Sequence, residues 1–293
     1  MTNIEKSILT AVALADIFDM PVVADEKFLD VFKGSATLKN KVHLENGFFY
    51  LGHEVIERQK MREKIGAEKW NIARKFTKFF RRVPFVREIF ISGSLARGNT
   101  TENSDIDLLI VAKHGRIWTA RMFIYLITFF SGKHRHGKKI KDRFCLNHFI
   151  SDKNLEIKRQ SLYNAETYLH LVPILKEKNI ADEFRQANQW IKNYFPYSDG
   201  AVSDDAITRK SDIKMRRAGI KKILEFVLGG FVGDVFEWTV KKIQMIKQRR
   251  SRKNNIGGHV ILSDNELAFH PDSPEGKIME KFNERMKKLE INQ

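Results

Sequence analysis

The period of the apolar positions changes along the chain, and each change marks a new element. Ile4, Ile8, Val12, Ala15 and Phe18 recur at helical spacing, so residues 4–18 predict an amphipathic helix. Pro21 and a short helical stretch at 25–32 follow, then two extended runs, 37–44 and 48–51, around Glu45-Asn46-Gly47. Asn-Gly between extended runs is a hairpin signal, because both turn residues accept positive φ. One long helical pattern then runs from His53 to about Arg82 and stops before Pro84. Residues 88–92 and 105–112 are short apolar runs of the buried-strand kind, 116–131 is helical, and 143–150 is a third strand. Beyond Ser151 the pattern is mostly helical, near 155–175, 180–195, 211–228, 231–250 and 274–289, with turn-rich 196–205 as a boundary. These signals divide the chain into a module at 1–57, a basic linker helix at 58–87, an α/β core at 88–152 and a C-terminal helical domain at 153–293.

Charge sharpens this division. The chain carries 52 Lys and Arg against 36 Asp and Glu among 293 residues. The excess sits in blocks: 11 basic against 2 acidic residues over 58–87, 8 against 1 over 116–143, and 14 against 4 over 209–253. Such blocks are the footprint of an anionic partner, for which RNA is the first expectation. The 1–57 module resembles a winged-helix domain in its helices and two-stranded wing. It holds 5 basic and 9 acidic residues, the wrong sign for a helix entering a DNA groove. Packing or oligomerisation is its expected role, and a winged-helix DNA-binding regulator is disfavoured.

Composition excludes several classes. Cys145 is the only cysteine, so neither an intrachain disulfide nor a Cys-rich zinc site exists. With 42% hydrophobic residues and 22 Phe, the chain folds. The run 8–15 ends in Ala13-Leu14-Ala15 like a signal-peptide cleavage site, but Glu5 stands where a basic region belongs. Residues 117–130 are too few to span a bilayer, and 223–240 contain Glu225, Asp234 and Glu237. Both predict buried or interfacial helices, and the expectation is a cytoplasmic protein that is not integral to a membrane.

The chemistry lies in Ile91-Ser-Gly-Ser-Leu-Ala-Arg-Gly98 followed by Ser104-Asp-Ile-Asp107. A strand ends at Gly93-Ser94, the chain turns into a short helix, and a second strand presents Asp105 and Asp107. Residues i and i+2 of a strand share a face, which puts the two carboxylates side by side, ~6–7 Å apart at Cα. That spacing suits carboxylates gripping a pair of divalent ions. Gly93 lets backbone approach a phosphate, Ser94 offers an amide and a hydroxyl at a helix start, and Arg97 adds charge.

At these residues the chain resembles the nucleotidyltransferase superfamily of polymerase-beta-like fold, near the bacterial minimal and aminoglycoside nucleotidyltransferases. That family's pattern is Gly-Ser, an Arg-Gly-containing helix, then Ser-Asp-x-Asp. Here it reads Gly93-Ser94, Arg97-Gly98 and Ser104-Asp105-Ile106-Asp107. The resemblance implies transfer of a nucleoside monophosphate from an NTP to an acceptor hydroxyl on RNA, protein or a small molecule. It also implies that Gly93, Ser94, Arg97 and Ser104 bind the nucleotide, and that Asp105 and Asp107 hold two Mg²⁺ ions.

The family's third carboxylate, on the next strand, is missing. Strict alternation puts Cys145, Asn147 and Phe149 on one face, which makes Asn147 the candidate for that position. Asn offers a metal an oxygen but takes no proton. His148 on the opposite face is an alternative base, and Asp142 or Asp152 would serve only in another register. The alternative function is a catalytically weak or inactive nucleotide-binding protein, antitoxin-like, with the same fold. Arg252 and His259 have an Arg-x₆-His spacing seen in partner ribonucleases, with Gly257-Gly258 interrupting it.

Overall fold

The computed structural model describes residues 1–52, 54–175, 180–196, 219–252, 259–270 and 273–291. Residues 197–205 of the turn-rich boundary expected at 196–205, residues 211–218 of the helix expected over 211–228, and residues 253–258 of the Arg252–His259 spacing lie outside the described residues.

Helix α1 (Asn3–Ile17) starts at a capping box in which Thr2 Oγ1 accepts the Glu5 amide and the Glu5 carboxylate accepts the Thr2 amide. Then come β1 (Val22–Val23), α2 (Glu26–Gly34) capped by Asp25, α3 (Ala36–Lys41), β2 (His43–Glu45) and β3 (Phe48–Tyr50). The strands form an antiparallel sheet of order β1-β3-β2, with Asn46 and Gly47 at positive φ in the hairpin turn. The extended run expected at 37–44 is mostly helix. Ser35 Oγ accepts the Leu38 amide at 3.1 Å, and Leu38 and Val42, four apart, enter the core of the module.

Helix α4 (Glu54–Phe80) leads into β4 (Val86–Ser92), α5 (Gly93–Arg97), β5 (Ile106–Ala112), α6 (Ile117–Phe130) and β6 (Phe144–Ser151). These five elements follow the expected alternation. After them stand α7 (Leu162–Leu169), β7 (Val172–Leu175), α8 (Ile180–Ala187), a 3-10 turn (Gln189–Asn193), α9 (Gly219–Val227), α10 (Phe231–Arg252), β8 (His259–Leu262), β9 (Glu266–His270) and α11 (Glu275–Ile291).

The main sheet has the order β7-β4-β5-β6-β9-β8, and β5–β6 is its parallel pair, joined through α6. Residues beyond 153 therefore differ from a separate helical domain, since three of their segments are strands of this sheet. β7 contains Pro173, which an edge strand tolerates because the missing N–H faces outward. β8 and β9 are four- and five-residue runs around Ser263-Asp264-Asn265, too short to stand out by periodicity. One sheet face packs Ile106, Leu108 and Phe144 against Trp70 and Phe80 of α4, Trp118 of α6 and Val240 of α10. The other packs Phe90, Leu109 and Ile150 against Ala165 of α7, Phe184 of α8 and Trp190. α11 returns to the N-terminal module, where Phe282 meets Ala13 and Leu14 and Arg285 pairs with Asp16 at 2.5 Å.

Candidate functional site

Strand β4 delivers the chain to Gly93 directly beside β5, with Ser92 opposite Asp107. Gly93 has φ +65°, and a Cβ there would fall 2.3 Å from Asp107 Oδ2. Only glycine lets the carboxylate lie against the main chain. Gly98, at φ +81°, closes α5 in the left-handed conformation with its amide donating to Ser94 O. The loop between Gly98 and Asp105 is held from below by Lys69 of α4, a fully buried side chain. Its Nζ donates to Glu102 O at 3.1 Å, Ser104 O at 2.8 Å and Asp142 Oδ1 at 2.6 Å. Asn99 Nδ2 donates to Phe18 O at 2.9 Å and ties the same loop to the N-terminal module.

On this scaffold Asp105, Asp107 and Cys145 converge, with ligand atoms all within 4.8 Å of one another. Cys145 faces Asp107 across the parallel pair, and a bulge follows: Asp107 pairs with Cys145, but Leu109 pairs with His148. The extra residue in β6 resets the alternation. Cys145, His148 and Ile150 thus share the sheet face of Asp107 and Leu109, whereas Phe149 turns into the opposite core. Strict alternation over 143–150 fails for that reason.

Asp107 is pushed up to about 7, first by burial and then by the charge of Asp105; Arg135, Cys145 and Arg97 oppose the rise. Burial and the same two carboxylates raise the Cys145 thiol well above its ordinary value. Arg135 Nη1 donates to Asp105 Oδ2 at 2.6 Å and to Cys145 Sγ at 3.3 Å. A cluster that stores negative charge beside a single guanidinium is suited to a divalent cation. Mg²⁺ takes hard oxygen donors, so Asp105 and Asp107 fit as its ligands, and the protonated thiol of Cys145 does not.

The other expected residues divide. Ser94 stands next to Gly93 in the first turn of α5, half-buried. Ser104 Oγ accepts the Thr101 amide at 3.0 Å, so it shapes the turn before Asp105. Arg97 donates to buried Glu166 of α7 at 2.8 Å and lies 4.5 Å over the Phe18 ring, while its charge still reaches Asp107. Asn147 lies within the bulge, and His148, between Glu266 Oε1 at 3.2 Å and Tyr168 OH at 3.0 Å, is engaged in a buried network. Asp142 pairs with Lys69, and Asp152 accepts the His114 amide at 2.8 Å. Three contributors carry no sequence signal of their own. Lys69 is one lysine among many in a basic helix, Arg135 is one of eight basic residues over 116–143, and Cys145 becomes the partner of Asp107 only through the strand register. Beside the cluster, a concave surface carries Lys133, Lys138, Lys139, Lys141 and Arg143.

Residues 73–193 match the family described as nucleotidyltransferase domain. No curated protein and no solved structure matches the chain.

Proposed function

We propose that the protein transfers a nucleoside monophosphate from an NTP to an acceptor hydroxyl with Mg²⁺, a reading supported by the match of residues 73–193 to a nucleotidyltransferase domain and by the resemblance to the small bacterial nucleotidyltransferases of polymerase-beta-like fold. The observation that carries this reading is the Asp105–Asp107 pair packed against Gly93. Asp105 and Asp107 would hold the metal, which supplies charge to the triphosphate as pyrophosphate leaves. Gly93 and Ser94 would receive the phosphates with main-chain amides and a hydroxyl. The lysines at 133–141 and Arg143 favour an anionic acceptor such as RNA.

The 1–57 module, with order α1-β1-α2-α3-β2-β3, is read as winged-helix-like and as a packing or oligomerisation unit. A second reading, nucleotide binding with little transfer, is favoured by one feature: Cys145, not a carboxylate, completes the cluster. Titration calorimetry with Mg-NTP tests the site. Wild type should bind, and Asp107→Asn should lose at least tenfold in affinity while folding normally; equal affinities would overturn the metal assignment. Transfer of labelled nucleotide to RNA then separates the two readings.

A further inference from the structure

Helices α9 and α10 are amphipathic in reverse. Their acids are paired with the body of the protein, Glu225 and Glu237 turned into it and Asp234 reaching it from an exposed position. Glu225 accepts the Phe85 amide at 2.7 Å, Asp234 accepts from Arg116 at 2.5 Å, and Glu237 caps α6 by accepting the Trp118 and Thr119 amides at 2.9 and 2.8 Å. Val240, Phe236 and Met245 of α10 pack inward, but most of the large apolar side chains face out, among them Ile223, Phe226, Phe231, Val235, Trp238 and Ile246. At 100° per residue Phe231, Val235, Trp238, Lys242 and Ile246 form one stripe along α10.

The turn between the helices is built, not frayed. A Cβ on Gly233 would lie 1.8 Å from Leu228 O, so only glycine permits so close a turn. Arg116 donates to Leu228 O at 3.0 Å and Gly229 O at 3.2 Å, fixing it to the body. Phe226 and Phe231 project on either side of this turn, 86% and 81% exposed. A contiguous apolar surface of this kind marks a docking site.

Charge identifies the occupant. Lys222 and Lys242 are exposed on the same two helices, and Lys242 Nζ sits 3.7 Å over the Trp238 ring, within the stripe. All three acids described on these helices are engaged by the body. An apolar tip, an aromatic ring and basic side chains long enough to reach headgroups are what an anionic bilayer surface recognises. No described helix is long and apolar enough to cross a membrane. We propose that the α9–α10 hairpin docks the protein on an anionic lipid bilayer, with Phe226, Phe231 and Trp238 at headgroup level.

Trp238 makes this testable in the whole protein, because it is 56% exposed while Trp70, Trp118 and Trp190 are buried. The protein should float with phosphatidylglycerol-containing vesicles and not with phosphatidylcholine alone. Its emission should shift to the blue, and lipids brominated along the acyl chain should quench it. Salt should weaken the binding. The double variant F226S/F231S should partition at least tenfold less, with an unchanged thermal melt; if it fails to fold, quenching of the wild type decides alone. No flotation and no quenching would overturn the proposal. So would an emission shift without lipid that follows protein concentration, which would assign the face to a second copy. An equal shift with single-stranded RNA in place of vesicles would overturn it too.

Discussion

A metal site of this kind depends on which side chain stands opposite Asp107, and that residue is Cys145. Its thiol is held protonated by burial and by the two carboxylates, so it neither binds a hard cation nor accepts a proton from an acceptor hydroxyl. A carboxylate there would do both. Cys145→Asp should therefore raise nucleotidyl transfer at least tenfold in a single-turnover assay, and Asn147→Asp, in the bulge, should leave it within about twofold. The reverse result would restore the strict alternation read from sequence. His134 sets a pH dependence of its own. Burial first, then the cations Arg121, His136, Lys247 and Arg143, push it from 6.5 down to about 4. The unfolded chain takes this proton near pH 6.5 and the folded chain only near pH 4. Between those values the unfolded state binds more protons, so stability falls as pH drops through the window. The ring is half-buried, which keeps its share below ~1.4 kcal/mol per pH unit. Urea melts of His134→Phe at pH 7.5 and 5 should show a smaller loss than wild type.

Among the elements, α4 does more than link. Through Lys69 it fixes the loop that presents Asp105 and the turn at Asp142 before β6. Lys69→Met would strand two carbonyl groups and one carboxylate, costing about 3 kcal/mol in chemical unfolding. Arginine should not restore it, since a planar fork cannot place three donors where one ammonium does. β4, β5, β6, α4 and α6 were legible in the sequence, because strands buried on both faces and long helices repeat their pattern many times. The Gly93–Asp107 motif was legible because its glycine and carboxylates are fixed in spacing. β7, β8 and β9 were not: each is five residues or fewer, and their identity as strands comes from the neighbours they pair with. The bulge in β6 left no local signal either, and it takes Asn147 out of the alternation that would have set it opposite Leu109.

For the whole molecule, the charge blocks read from sequence do two kinds of work. Arg58 and Arg62 pair with Asp19, Lys69 and Lys221 are buried, and Arg116 clamps the α9–α10 turn, so part of the positive charge holds the parts of the fold together. What faces outward near the site is the surface bearing Lys133, Lys138, Lys139 and Lys141, with Arg143 at its margin donating to the Gly132 and His134 carbonyls. If that surface takes a single-stranded acceptor through about five phosphates, affinity should fall with salt at a log–log slope of about −3.5. Fluorescence titration of a labelled oligonucleotide at several salt concentrations measures it. Lys139→Glu with Lys141→Glu should flatten the slope, while a flat wild-type dependence would point to a small acceptor.

The pairing of β6 with β9 also sets an order of events during synthesis. β6 ends at Ser151 and β9 begins at Glu266. At ~5–20 residues per second, the ribosome needs on the order of ten seconds to supply the second strand after the first. Through that interval the edge of β6 at His148–Ile150, beyond the carboxylates, has open hydrogen-bonding groups, a template for unwanted partners. The aspartates can meet early, since β4, β5 and β6 are close in sequence, but the strand flanking them is sealed late. A nascent chain of this protein thus carries an open sheet edge until its last strands emerge, and its aspartates are brought together before that edge is covered.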